Sequence, residues 1–181
     1  MIYFISDTHF NHINVIEYCN RPFKNIQEMN NAIIDKWNET VKDNDIVYHL
    51  GDFALGKKED INDLVSKLKG KIYLVRGNHD NWSASTYEKL GLNILRNPPI
   101  RLDEYKLILS HTPIPDKLIP AEYINIHGHI HNKLLYECVE KYDSKLYSMR
   151  KHINVSCDVT ELKPINIENL MMCLNENIEN K

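Results

Sequence analysis

Five short apolar runs punctuate the chain, and each ends in a polar cluster: Ile2–Ile5, Ile46–Leu50, Ile72–Val75, Leu107–Leu109 and Tyr123–Ile126. They are rich in β-branched and aromatic residues and nearly continuous rather than alternating, the pattern of strands buried on both faces. A sixth run, Ile153–Cys157, follows near the C-terminus. Between the runs the apolar period lengthens to threes and fours, which predicts helices. Ile26, Met29, Ile33, Trp37 and Val41 form one stripe, opened by Asn25 and Glu28 as a capping pair. Ile61, Leu64, Val65 and Leu68 form a second, closed by Gly70. Ile167, Leu170, Met171, Leu174 and Ile178 form a third, with Asn166 as its cap. Shorter helices are expected over Ile13–Cys19 and Ser83–Leu90.

Strand and helix alternate through the first half, as in a layered α/β domain. From Leu95 to Cys157 the strands crowd together, which predicts antiparallel hairpins with Asp103-Glu104 as one turn. Lys133–Lys151 reads as a hairpin or a surface excursion. A chain of 181 residues is long enough for one sizeable core and too short for two, so residues 1–181 are expected to form a single domain. The formal net charge of -3 provides no global basic field for nucleic acid. No 18-residue apolar run predicts a membrane span. Met1 to Ile5 run straight into the first polar cluster without the features of a signal peptide. Cys19, Cys138, Cys157 and Cys173 contain no C-x-x-C pair and read as reduced core thiols of a cytoplasmic protein.

The polar clusters are Asp7-x-His9, Gly51-Asp52, Gly77-Asn78-His79-Asp80, Ser110-His111 and Gly128-His129-x-His131. Each falls at the carboxyl end of an expected strand, where open α/β sheets bind ligands. Five of the nine histidines and three of the six glycines lie in these clusters, so the concentration is chemical rather than compositional. Carboxylate, imidazole and amide groups without thiolate suit two divalent transition metals (Mn first, then Fe, Zn, Ni or Co) rather than a structural cysteine–zinc site. Singly these motifs are weak signals. In order, as a set of five, they are specific.

That ordered set resembles the calcineurin-like metallophosphoesterase superfamily, whose pattern runs DxH, GD, GNH(D/E), H and GHxH. The stretch Ser6-Asp7-Thr8-His9-Phe10-x-His12, with Arg21-Pro22-Phe23 after it, is similar to small bacterial and phage members. So is the stretch from Asn154-Val155 to Asp158-Val159, followed by Lys163-Pro164-Ile165. The resemblance implies a four-layer αββα sandwich of two mixed β-sheets flanked by helices. It implies one metal held by Asp7, His9, Asp52 and His131, and another by Asp52, Asn78, His111 and His129, with Asp52 bridging. Water activated between the metals would attack a phosphodiester or phosphomonoester of a small or nucleotide-like substrate, with His79 as general acid.

Protein phosphatases of the superfamily extend the second motif to GDxVDRG. Here it reads Gly51-Asp52-Phe53-Ala54-Leu55-Gly56, lacking the Asp that orients the acid histidine and the Arg that grips substrate. A phosphoprotein phosphatase is therefore not expected, and Asp80 becomes a candidate partner for His79. Asn78, His12 and Arg21 are candidate substrate contacts. Arg76 reads as a strand-end ion pair, His49 and His127 as core or supporting groups, and His152 as surface. Phe10 and Trp82 flank metal motifs and are candidates for stacking on a base, although aromatics more often simply pack. The rival readings are a nuclease acting on DNA or RNA ends and a catalytically silent interaction scaffold of the same fold.

Overall fold

The computed structural model describes residues 1–133 and 151–172. In chain order its strands are β1 (Ile2–Ile5), β2 (Ile46–His49), β3 (Lys71–Leu74), β4 (Asn93–Ile94), β5 (Ile100–Leu102), β6 (Leu107–Leu109), β7 (Ile124–His127), β8 (His152–Asn154) and β9 (Ile165–Asn166). Its helices are α1 (Asn14–Tyr18), α2 (Ile26–Thr40), α3 (Lys58–Lys67) and α4 (Ala84–Lys89), and residues 167–172 begin another. One sheet runs β4-β3-β2-β1-β9 and the other β5-β6-β7-β8. In the first, β1 to β4 are parallel and β9 is antiparallel against β1. In the second, β5 is antiparallel against β6 and the rest are parallel. Both sheets are mixed and flanked by helices, the layered α/β arrangement expected.

The expected hairpins are corrected in part. Among the described residues only β5 and β6 make one, turned by a 3₁₀ segment at Asp103–Tyr105. Residues 110–123 instead cross the outer face of the second sheet, where Ile114, Ile119 and Tyr123 pack on Ile108. That crossover returns the chain to the same end, so β7 enters parallel to β6. The sixth strand is also shorter than expected. After Asn154 the chain leaves β8, and Ser156 bridges Ser6 beyond the end of β1, so the two sheets are stitched together there.

Alternation of side chains along β1 divides the core. Tyr3 and Ile5 face α1 and α2 beside Met29, Ile33 and Trp37. Phe4 faces the second sheet with Leu50, Val75, Leu109 and Ile126. Two caps act as read, Asn25 Oδ1 accepting from the Glu28 N–H and Asn166 Oδ1 from the Asn169 N–H, and Ser83 Oγ adds a third by accepting from the Thr86 N–H. One detail differs, because the Glu28 carboxylate takes the Lys24 N–H rather than that of the cap residue. Leu174 and Ile178 of the third stripe, Cys138, Cys173 and residues 134–150 lie outside the described residues. Cys19 and Cys157 are buried free thiols, and no described helix is long and apolar enough to cross a membrane.

Buried histidines lie on the strand faces turned away from the opposite sheet, His49 against Trp37 of α2. Gly51 N–H donates to His49 Nδ1, which leaves Nε2–H to donate to Thr8 Oγ1, and that hydroxyl donates in turn to the Phe53 carbonyl. His127 is equally buried, and His152, expected at the surface, is buried with Nε2 2.9 Å from Asp116 Oδ1. Burial pushes His49 and His127 down to about 3 from the ordinary value of 6.5. Below pH 6.5 the unfolded chain therefore takes up protons that the folded chain refuses. Stability should fall from there to about pH 3, by roughly 1 kcal/mol per pH unit per histidine. Urea midpoints measured from pH 7 to 4.5 should decline, and the ring resonances of both histidines should not titrate by NMR over that range while the fold persists.

Candidate metal centre

Five loops leave the carboxyl ends of the two sheets and meet at one place. Their backbones brace each other: Asp7 N–H donates to the Gly51 carbonyl, His9 N–H to that of Asp52, and Gly128 N–H to that of His111. Asp7, His9, Asp52, His129 and His131 all have φ between 48° and 70°, the left-handed region. For residues other than glycine this costs roughly 1 kcal/mol or more apiece. Such strain persists only where the surroundings over-determine it, and here it is confined to five candidate ligands and a few turn residues. The glycines serve a different end. A Cβ on Gly51 would lie 2.6 Å from the His111 ring, one on Gly77 would strike Asp52 Oδ1, and one on Gly128 would strike Ser6 and Asp7 Oδ2.

The candidate ligands converge in two groups. Asp7, His9 and His131 present their ligand atoms to one point, and Asp52, His111 and His129 to another. Asp52 Oδ2 joins the groups, 3.5 Å from His9 Nε2 and 3.4 Å from His111 Nε2. Asn78 Oδ1 completes the second group, 2.9 Å from His111 Nε2, and His129 Nδ1 stands 3.1 Å from the same atom. His111 Nδ1–H donates to the Leu50 carbonyl, which turns Nε2 inward. All seven residues expected from the sequence are thus brought together.

These residues fit divalent cations on electrostatic grounds. Asp7 is fully buried; its Oδ2 accepts from the His129 N–H, while Oδ1 has no partner, and neither has the buried His9 Nε2. Polar atoms of that kind cost a few kcal/mol each unless something satisfies them. Burial raises the proton affinity of Asp7 above the carboxylate norm, only partly countered by His111 and His131. Burial pushes His9 down to about 2, so its imidazole is neutral and able to ligate. Asp52 is pushed up by burial but held below the carboxylate range by the hydrogen bond and charge of His111 and by the His79 N–H. Neutral imidazole and ionised carboxylate are the states that metal ligation requires.

A second ring of residues sets the first. Asp158, placed by the sequence only within a terminal stretch of family likeness, accepts from His131 Nδ1–H at 2.8 Å and leaves Nε2 for a metal. Arg21 binds that carboxylate through both Nε and Nη2, and spends its remaining donors on the Asp7 and Thr8 carbonyls and on Met29 Sδ. Arg21 was expected as a substrate contact. It is buried with every donor engaged inside the protein, so it clamps the first loop to the fifth instead. Asp80 is likewise not the partner of the His79 ring. Its carboxylate accepts from the backbone N–H groups of Asp52, Phe53 and Gly77. Nothing local in the sequence announces either role, since Arg21 and Asp158 stand 137 residues apart.

His79 sits partly exposed at the edge of the site, its ring centroid 5.1 Å from that of His9. His12 Nδ1 lies 3.2 Å from His9 Nδ1. With His9 Nε2 turned to a metal, Nδ1 keeps its proton and donates to His12, whose own proton then sits on Nε2. Phe10 is wholly buried on Phe53, and Trp82 packs against Tyr87, so both pack as aromatics usually do. Arg76 donates to the Trp82 carbonyl rather than joining the ion pair expected of it.

A family model described as calcineurin-like phosphoesterase matches residues 1–163. The chain belongs to that family. It is therefore a metal-dependent phosphoesterase by descent, and the converging loops are where the family chemistry would reside. The chain is 41% identical over 169 residues to an uncharacterized protein of Methanocaldococcus jannaschii, covering 92% of this phosphoesterase and 87% of the relative. The crystal structure of a protein of unknown function from Aquifex aeolicus superposes with a TM-score of 0.70 at 27% identity, covering 96% and 98% of the two chains. A fainter likeness, with a TM-score of 0.49 at 19% identity, is to a nuclease of Pseudomonas putida, over 72% of this chain and 61% of that one.

Burial lowers the proton affinity of His131, but the hydrogen bonds to Asp158 and Cys19 and the charge of Asp7 together outweigh it and raise the group to about 10, so its ring carries a proton that metal ligation would displace. Manganese binding at pH 8 should release about one proton from this residue. Asp158→Asn should lower manganese affinity about 10–100-fold and shrink that proton release. Calorimetry in two buffers of different ionisation heat measures both; an unchanged affinity would remove Asp158 from this role.

Proposed function

We propose that the protein is a phosphodiesterase of small, nucleotide-like substrates, working with two divalent ions, manganese by preference, in a cytoplasmic setting that keeps Cys19 and Cys157 reduced. The single observation that carries this reading is the meeting of two ligand groups at Asp52, with Asp7 Oδ1 and His9 Nε2 buried and unpartnered on one side of it. Asp7, His9, Asp52 and His131 would hold one ion, and Asp52, Asn78, His111 and His129 the other. A bound pair of this kind supplies Lewis acidity to the phosphoryl group and brings water close to ionisation at neutral pH.

The chain's own residues do the rest. Asp52 spans both groups, and its Oδ1 accepts the His79 N–H at 2.8 Å, which fixes the backbone of the candidate acid against the bridging carboxylate. The His79 ring faces the cavity beside His9 and His131, where it can hand a proton to a departing oxygen. The net charge of -3 opposes polynucleotide binding, so a small substrate is favoured over a nucleic-acid end.

Hydrolysis of bis-p-nitrophenyl phosphate with added manganese tests the reading directly. Asp52→Asn should abolish turnover and weaken both metal sites. His79→Ala should retain metal yet lose about 10²–10⁴ in rate, most for substrates with poor leaving groups. If His79→Ala hydrolyses every leaving group at the parent rate, the acid lies elsewhere. If the manganese-loaded parent cleaves neither phosphodiester nor phosphomonoester, the assignment fails.

A further inference from the structure

Beside His9, His79 and His131 opens a cavity of about 240 Å³. Its other wall is α1 and the residue following it: Val15, Tyr18 and Cys19, with His12 nearby. Val15 and Cys19 are buried and give that wall an apolar base. Tyr18 is 73% exposed, more than any other large apolar or aromatic side chain of the described residues that faces solvent. One exposed aromatic is ordinary on a protein surface. This one stands on the rim of a cavity whose far side carries the candidate acid and two candidate ligands, so its ring is an unused stacking surface next to the chemistry.

Polarity narrows the occupant. Among the described residues no carboxylate lines the cavity, whereas the Lys133 ammonium and the His12 imidazole do. These are donors, and they match a group rich in acceptors. Size narrows it further. Pockets for drug-sized ligands run from roughly 300 to 1,000 Å³, so this one admits a single ring system and its near substituents rather than a stretch of polymer. Position gives the last constraint. The departing alcohol lies where the acid can reach its oxygen, and His79 borders this cavity.

We propose that the cavity receives the departing alcohol of the substrate, and that it takes a nucleoside-sized alcohol whose planar, acceptor-rich ring stacks on Tyr18 while Lys133 and His12 donate to it. The proposal rests on the hydrolase reading above and gives that site its substrate class. In the reaction, the water oxygen forms a bond to phosphorus and the bond from phosphorus to the nucleoside oxygen breaks. The proton from His79 goes to that oxygen, and the nucleoside leaves as the free alcohol.

The methyl phosphodiester of adenosine tests this, because either of its two alcohols can depart. The manganese-loaded full chain should yield adenosine and methyl phosphate; methanol and adenosine monophosphate as the main products would overturn the proposal. Tyr18→Ala should raise KM roughly tenfold with the loss confined to KM, the signature of an interaction made equally in ground and transition states. Tyr18→Phe should restore the parent value, since the ring face and not the hydroxyl is used. An unchanged KM in Tyr18→Ala also overturns the proposal. Adenosine binding to the full chain, followed by NMR with glycerol as the comparison, requires no turnover. Adenosine binding that Tyr18→Ala weakens supports the pocket even where hydrolysis is not seen, and hydrolysis without adenosine binding supports the enzyme and sinks the pocket.

Discussion

A carboxylate withdrawn from water must find positive charge or a full set of donors, and Asp7 and Asp52 are 0% and 2% exposed. Asp52 is partly provided for by His111 and the His79 N–H. Asp7 is not, with one oxygen bonded to a single N–H and the other bare. The surrounding backbone is bent to hold both acids where they are. Five left-handed residues at about 1 kcal/mol each amount to a sizeable part of the 5–15 kcal/mol by which a domain is normally stable. The loops keep that geometry because each is hydrogen-bonded to the next, and because Gly51, Gly77 and Gly128 leave room that a single methyl group would fill. A divalent cation between them would satisfy both acids at once.

The two ligand groups are supported by different means. His111 is oriented by a main-chain carbonyl, Leu50, at the end of β2, so its position follows from the sheet itself. His131 is oriented by a side chain, Asp158, which Arg21 holds from the other side. One group is set by the fold and the other by an ion-paired triad. Arg21 and Asp158 are almost wholly buried, with Arg21 Nε 2.7 Å from Asp158 Oδ1, so removing Asp158 leaves the Arg21 charge stranded inside the protein. Arg21 also takes the carbonyls of Asp7 and Thr8, which makes the triad a clamp between the start of the chain and its far end.

Much of this was legible in the sequence because the signals are local. Continuous apolar runs gave β1, β2, β3, β6 and β7 to within a residue, and capping residues at Asn25 and Asn166 gave two helix starts. The seven candidate ligands were legible for a different reason: each lies directly after a strand, so the sheet carries it to the common edge. What was missed depends on contacts that no window of sequence contains. The strands β4, β5 and β9 are two or three residues long and too short to show a period. The parallel entry of β7 depends on where residues 110–123 pack. The inward turn of Arg21 depends on Asp158, and the burial of His152 on the segment that brings Asp116 to it. A charged residue beside a metal motif reads as a substrate contact until its partner is known.

The segment from Ser6 to Arg21 joins chemistry to selection. It begins with two candidate ligands, passes through His12 against the ring of His9, forms α1 along the cavity, and ends in the arginine that fixes Asp158. Arg21 N–H also returns to the Ile16 carbonyl and Cys19 N–H to that of Val15, so the short helix is anchored at the end nearest the clamp. Five residues of helix would be marginal alone, since nucleation is costly and few bonds repay it. It holds because Val15 is buried in the core and Arg21 is pinned. Side chains on its exposed face, Tyr18 first among them, are bound by neither constraint. Substitution there changes the cavity wall without touching a candidate ligand, so that wall can vary while the ligand loops stay as they are.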